Sequence, residues 1–213
     1  MKNLSNNAKK IAATYNRLAK TYDRMLGPLE NDARIQEARR YICNSAMGNV
    51  LEVGIGTGIN IPLYPTDCNI TGIDLSEKML EKAQIQAGKH HRNIELIQAD
   101  VENIPFPDDN FDTVISTFTF CLVPNPVRGL NELCRVCKSS GSILLLEHVI
   151  SHKSIVALLQ NLFNPITVAL LRDHINRDTT SLARNAGLQI LQEKLVLGDI
   201  VKLIEGRPKP AKA

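Results

Sequence analysis

The chain has no tryptophan, and aromatic residues make up only 4% of its 213 positions. It offers no platform for stacking bases, and a formal net charge of +3 is too small to hold a polyanion. A nucleic-acid partner is therefore not expected. No run of about 18 strongly apolar residues stands out, so no membrane-crossing helix is expected. The longest uncharged stretch, Ser154 to Leu171, contains Gln160, Asn161, Asn164 and Pro165, and reads as too polar and too kinked to span. The five cysteines are odd in number and widely spaced, which suits a reducing cytoplasm better than a disulfide framework. The pair Cys134 and Cys137 reads as one face of a helix. His90-His91 lacks a third ligand nearby, so no metal site is expected. The first 20 residues are polar and basic, which predicts no signal peptide. With 44% hydrophobic and 22% charged residues, the composition is that of an ordinary globule, read as a single domain over 1–213.

What is present is concentrated at Asn49-Val50-Leu51-Glu52-Val53-Gly54-Ile55-Gly56-Thr57-Gly58. A short apolar run ends in an acid and opens into three alternate glycines. This reads as a buried strand and the loop leaving it, where a ligand can lie against bare backbone. No Gly-Lys-Ser/Thr follows, which excludes a P-loop, and Ile59 stands where a dinucleotide-binding fingerprint has its third glycine. A second run, Asn69 to Asp74, ends in an acid 20 residues after Gly54, a separation that suits a ribose diol. A third run ends in Asp100. Glu52, Asp74 and Asp100 therefore lie at the edge where open α/β sheets bind ligands.

Glu52-Val53-Gly54-Ile55-Gly56-Thr57-Gly58, Gly72-Ile73-Asp74-Leu75-Ser76 with Met79-Leu80, and Ala99-Asp100-Val101, in this order, resemble the motif set of class I S-adenosylmethionine-dependent methyltransferases. The resemblance covers residues 15–205. It implies a single Rossmann-like doubly wound α/β domain with a seven-stranded, mostly parallel sheet and an antiparallel last strand. It also implies S-adenosyl-L-methionine as cofactor. Gly54, Gly56, Thr57 and Gly58 would pass under its methionine part, Glu52 would lie near the amino or sulfonium end, and Asp74 would hold the ribose. Asp100 would hold the adenine amine, with Leu75, Met79 and Val101 beside it. Tyr22-Asp23 resembles the pair near the start of the quinone and phospholipid branch, in which this segment folds over the cofactor.

Along the chain, Ile11, Tyr15, Leu18, Tyr22 and Met25 form one helical stripe within a helix expected over 5–26 and possible to break; Lys9, Lys10, Arg17, Lys20 and Arg24 surround it. Two readings stay open for 1–30: a lid with a solvated basic face, or a face that touches anionic lipid. Gly27-Pro28 is expected to turn the chain. Ser116-Thr117-Phe118-Thr119 ends the fourth strand where enzymes that methylate nucleobase amines carry Asn/Asp-Pro-Pro-aromatic. Lys138 to Gly141 is expected as a turn before the fifth strand, Ile143 to His148. Residues 149–177 form an apolar insertion after that strand, expected as two short helices on the acceptor side: an acceptor lid, a membrane-facing patch or a dimer contact. A final hairpin runs from Leu188 to Glu205, and 207–213 is expected to be a flexible tail.

Methyl transfer needs alignment and a dry site more than a strong base. The candidates for handling the acceptor are His148, Tyr22 and Thr117, and Tyr22 and Thr117 could also touch the cofactor. Leu51 to Tyr64, Thr71 to Ala83 and Asp199 to Pro208 resemble small bacterial phospholipid N-methyltransferases, which implies phosphatidylethanolamine as acceptor and a peripheral place on the inner face of the cytoplasmic membrane. Glu147-His148-Val149 followed by an apolar segment is also similar to thiol methyltransferase-like relatives. A small thiol or a quinone carbon therefore stays open as acceptor.

Overall fold

The computed structural model describes residues 4–209. Seven strands form one sheet in the order β3-β2-β1-β4-β5-β7-β6. They are β1 (Asn49–Val53), β2 (Asn69–Asp74), β3 (Ile94–Gln98), β4 (Phe111–Thr117), β5 (Cys137–His148), β6 (Leu188–Leu197) and β7 (Val201–Pro208). The pairings from β3 through β5 are parallel, and β7 lies antiparallel to both β5 and β6. The doubly wound sheet with one reversed strand matches the fold expected from the motifs.

Side-chain alternation along the strands makes two cores. Val50, Ile70, Ile115 and Leu144 face the helix Ala33–Asn44 (α3), while Leu51, Val53, Val114 and Leu145 face Pro126–Val136 (α5). Strands apolar on both faces are what a parallel sheet covered by helices requires. The helix after β2, α4 (Glu77–Lys89), begins at Ser76, whose hydroxyl accepts from Met79 N–H at 3.2 Å. The chain leaves β1 through Gly54 and Gly56 and makes only a 3-10 turn, Ile61–Leu63, which is shorter than the helical turn expected over 59–64.

The helix expected over 5–26 is broken, as the sequence allowed: α1 (Asn6–Leu18) and α2 (Tyr22–Glu30) are separated around Ala19–Thr21. Five expectations are corrected. Gly27-Pro28 does not end α2. Pro28 forfeits one amide bond, yet Asn31 N–H still reaches Gly27 C=O at 2.8 Å. Lys138 to Gly141 is not a turn but the start of β5: Cys137 pairs with Phe111, and the register slips between Phe111 and Thr113. A Cβ on Gly141 would lie 2.8 Å from the Asp112 carbonyl oxygen.

The insertion is one continuous helix, α6 (Ser154–Leu171), not two. Pro165 lies inside without ending it, and the helix stops only at Arg172, a left-handed cap with φ +60°. At 18 residues it is, by length and composition, long and apolar enough to cross a membrane, contrary to the sequence reading. Finally, Arg207 and Pro208 belong to β7, and Lys209 N–H donates to Gly187 C=O at 2.8 Å. Residues 207–209 are therefore not the flexible tail expected there, and 210–213 lie outside the described residues.

Candidate active site

Two adjoining cavities open at the C-terminal edge of the parallel strands. The first measures about 720 Å³ including its mouth. Its wall joins Gly54 and Gly56 after β1, Asp74 and Leu75 after β2, Met79 on α4, Asp100 and Val101 after β3, and Thr117 after β4; Tyr22 of α2 also lines it. Glu52, Thr57, Gly58 and His148 are not in this wall.

The Gly54–Gly56 loop has the shape of a cradle. Both residues have positive φ. A Cβ on Gly54 would strike Thr119 Oγ1 at 2.2 Å, whereas one on Gly56 would meet nothing nearer than the Gly54 carbonyl at 3.8 Å. The space over Gly56 is left for something other than protein. Asp74 Oδ2 accepts from Gly56 N–H at 3.0 Å and Oδ1 from Ser76 N–H at 2.8 Å. Burial pushes its pKa up to about 6, against the pull of those N–H groups. A carboxylate has about four acceptor sites, so capacity remains for a ligand diol. Asp100 Oδ1 accepts from Glu102 N–H at 2.9 Å.

Glu52 lies behind the loop, 1% exposed. Its oxygens accept from Asn60 Nδ2 at 2.7 Å and Tyr64 OH at 2.9 Å. Burial raises its pKa to about 7 despite these donors. Asn60 Nδ2 also donates to Thr117 Oγ1 at 3.2 Å, and Arg39 donates to Asn60 Oδ1 at 2.9 Å and to Thr117 Oγ1 at 3.1 Å. The carboxylate thus ties the chain after the glycine loop to the end of β4. Nothing in the sequence marked Arg39 or Asn60: both are ordinary surface residue types, and only the fold buries them.

The segment after β4 is strained and firmly held. Phe118 has φ +53°, a costly conformation for a bulky residue and one that collects at functional sites. Glu147, fully buried, accepts from Ser116 Oγ at 2.9 Å, Thr119 N–H at 3.0 Å and Phe120 N–H at 3.1 Å. Burial pushes it up to about 7. Arg177 donates to the carbonyls of Phe120 and Val123.

The second cavity, about 610 Å³, shares Tyr15, Tyr22, Phe118 and Leu122 with the first. His148 lies here, its ring 4.8 Å from that of Phe118. Leu18, Met25 and Leu26 roof the cavity from α1 and α2, and Leu171 and Asp173 close it from the end of α6. The stripe from Ile11 to Met25 therefore faces the two cavities, while Lys9, Lys10, Arg17, Lys20 and Arg24 are exposed. Asn16 pins this roof: its Oδ1 accepts from Ser76 Oγ at 2.7 Å and Lys78 N–H at 3.1 Å, at the start of α4. Tyr15 OH donates to Leu171 C=O at 3.3 Å.

Fold and first cavity together are those of a doubly wound α/β protein with a cavity at its strand tips, where such sheets bind ligands. A family model described as a methyltransferase domain matches residues 51–145. A phosphatidylethanolamine N-methyltransferase of Cereibacter sphaeroides is 36% identical over 149 residues, covering 69% of this chain and 72% of that protein. A human thiol S-methyltransferase is 38% identical over 105 residues, 47% of this chain and 43% of that one. The crystal structure of a Thermotoga maritima SAM-dependent methyltransferase superposes with a TM-score of 0.68 at 22% identity, covering 92% and 99% of the two chains, and so shares the fold. The chain belongs to the S-adenosylmethionine-dependent methyltransferases, and its cofactor is S-adenosylmethionine.

Proposed function

We propose that this enzyme methylates the amine of phosphatidylethanolamine at a membrane surface. One observation carries the reading: an apolar second cavity beside the cofactor wall, closed by the end of α6, a helix with no buried residue. Ile155, Leu158, Leu162 and Leu170 of α6 are between 65% and 76% exposed. At 1.5 Å per residue the helix is about 27 Å long. Lying in a bilayer interface, it would bring lipid headgroups to the cavity at its C-terminal end. The exposed cations of α1 and α2 would add attraction to anionic lipid. The likeness to the Cereibacter enzyme supports the same acceptor.

When bound, S-adenosylmethionine supplies a methyl group already activated on a sulfonium. In this reading Gly54 and Gly56 leave room for the methionine part, Asp74 binds the ribose hydroxyls, and Asp100 binds the adenine amine, with Leu75, Met79 and Val101 packing beside them. Tyr22 and Phe118, common to both cavities, line the junction and exclude water. Thr117 is braced by Arg39 and Asn60, and its hydroxyl shapes the wall rather than taking a proton. His148 is the imidazole in the acceptor cavity placed to receive the amine's proton. Glu52, Thr57 and Gly58 hold the loop from behind.

A second reading, a small thiol as acceptor, is favoured by the likeness to the human thiol enzyme. Incubation with methyl-labelled cofactor separates the two. Phosphatidylethanolamine vesicles are run beside a panel of thiols and demethylated quinones. Label in the lipid fraction is the expected result, and label confined to thiols or quinones overturns it.

A further inference from the structure

The end of α6 delivers one charged side chain to the second cavity. Asp173 follows the left-handed Arg172 and is held by its neighbours: Thr167 Oγ1 donates to its carbonyl at 2.7 Å, and the next amide, His174 N–H, donates to Cys121 C=O at 2.9 Å. Asp173 lines the cavity with Tyr15, Tyr22, Phe118 and His148. Oδ1 is enclosed and has no hydrogen-bond partner. A buried acceptor without a donor is costly, more so when charged, and in a native protein it calls for an explanation. The neighbouring Cys121 thiol is within hydrogen-bond reach of the Asp173 carboxyl but is a weak donor, its pKa raised first by burial and then by the Asp173 charge. Arg177 lies within the field of Asp173, and its Nη1 donates to the Phe120 and Val123 carbonyls.

An alkylammonium suits this lining. Its charge complements the Asp173 carboxyl, and its N–H groups are donors for the cavity side of that carboxyl. A thiolate would be repelled by Asp173, and a quinone brings no donor. We propose that the second cavity receives the acceptor as an ammonium group and that Asp173 selects it over thiols and quinones. This rests on reading that cavity as the acceptor site. It has a corollary for successive methylation. Each added methyl removes one N–H, so a quaternary product keeps its charge but has nothing to donate to the carboxyl. The anchor therefore weakens as the product is completed.

The test uses the full chain and Asp173→Asn, nearly isosteric but uncharged. Binding of dodecylammonium and of dodecanol, both below micelle formation, is measured by calorimetry on protein saturated with S-adenosylhomocysteine. Removing a charge-assisted contact should weaken dodecylammonium by about 10- to 100-fold, raise KM for phosphatidylethanolamine similarly, and leave dodecanol and cofactor affinity unchanged. Asp173→Glu should keep the preference for the ammonium. Equal weakening of both probes would mark Asp173 as merely structural and overturn the proposal. If the wild type methylates the lipid amine and Asp173→Asn does so with the same KM, only the role of Asp173 falls. If the wild type methylates thiols and no amine, the acceptor reading falls and takes this inference with it.

Discussion

The strand-tip edge and helix α6 solve the same problem in opposite ways. At the edge, buried polar groups are satisfied inside the protein: Glu52 by Asn60 and Tyr64, Glu147 by Ser116 and two amides, and Asp74 by the amides of Gly56 and Ser76. Along α6 the imbalance is apolar and left open, since seven large hydrophobic side chains are about half exposed or more. One region is finished by its own chain. The other is left open among the described residues.

The largest expected effect tests that openness. Changing Ile155, Leu158, Leu162 and Leu170 together to Gln should cut partition into phosphatidylethanolamine vesicles by about 1000-fold or more, since each such side chain gains about 1.5 kcal/mol or more on full burial. Thermal stability should barely move, because none of the four is buried in the protein. Vesicle flotation and a melting curve decide it. Unchanged flotation would mean that α6 finds its cover elsewhere.

On the strand-tip side, the next effect is a pH dependence. The Glu52 carboxyl titrates at about 7 in the fold against an ordinary value of 4.5. The folded state therefore holds the proton more tightly than the unfolded chain. The stability this gives is complete below about pH 4.5 and is lost as pH rises to about 7, with a ceiling of about 3 kcal/mol. Glu52→Gln should flatten that part of the profile, because an amide can still accept from Asn60 and donate to Tyr64. Denaturant unfolding of both proteins between pH 4.5 and 7.5 tests it, and parallel profiles would refute it.

Asp74→Asn should cost about 10- to 100-fold in S-adenosylmethionine affinity, from lost charge-assisted hydrogen bonds. Calorimetry reads it directly. An unchanged affinity would remove Asp74 from the cofactor site.

The same contrast explains what could be read from the residues alone. The glycines and the acids at strand ends were legible because backbone turns and ligand contacts demand those types at fixed spacing. Asp74, Asp100 and Gly56 come together in one wall as their order along the chain suggested. Arg39, Asn60, Asn16 and Asp173 carried no local signal. Their surroundings are made by segments far apart in sequence, as in the Asn16 to Ser76 contact. Pro165 misled for the opposite reason: a rule about one residue predicted a break, and the turns on either side kept the helix continuous. Glu52 was placed beside the cofactor by its motif, yet it faces the core, because its strand neighbours Val53 and Leu51 take the other side of the sheet.

The smallest effect separates glycines kept for a ligand from those kept for the fold. Gly54→Ala would drive a methyl into Thr119, so stability should fall along with cofactor binding. Gly56→Ala meets no such obstacle within the protein and should lose only about 1 to 2 kcal/mol, for a side chain at φ +57°. Its new methyl nevertheless points into the first cavity, so cofactor affinity should fall by more than that backbone cost implies. Gly88→Ala, in the last turn of α4 with open space around it, should go the other way and gain up to about 1 kcal/mol, with cofactor affinity unchanged. Melting curves with and without S-adenosylhomocysteine distinguish the three. If Gly56→Ala keeps the full ligand-induced shift, the space above that loop does not belong to the cofactor.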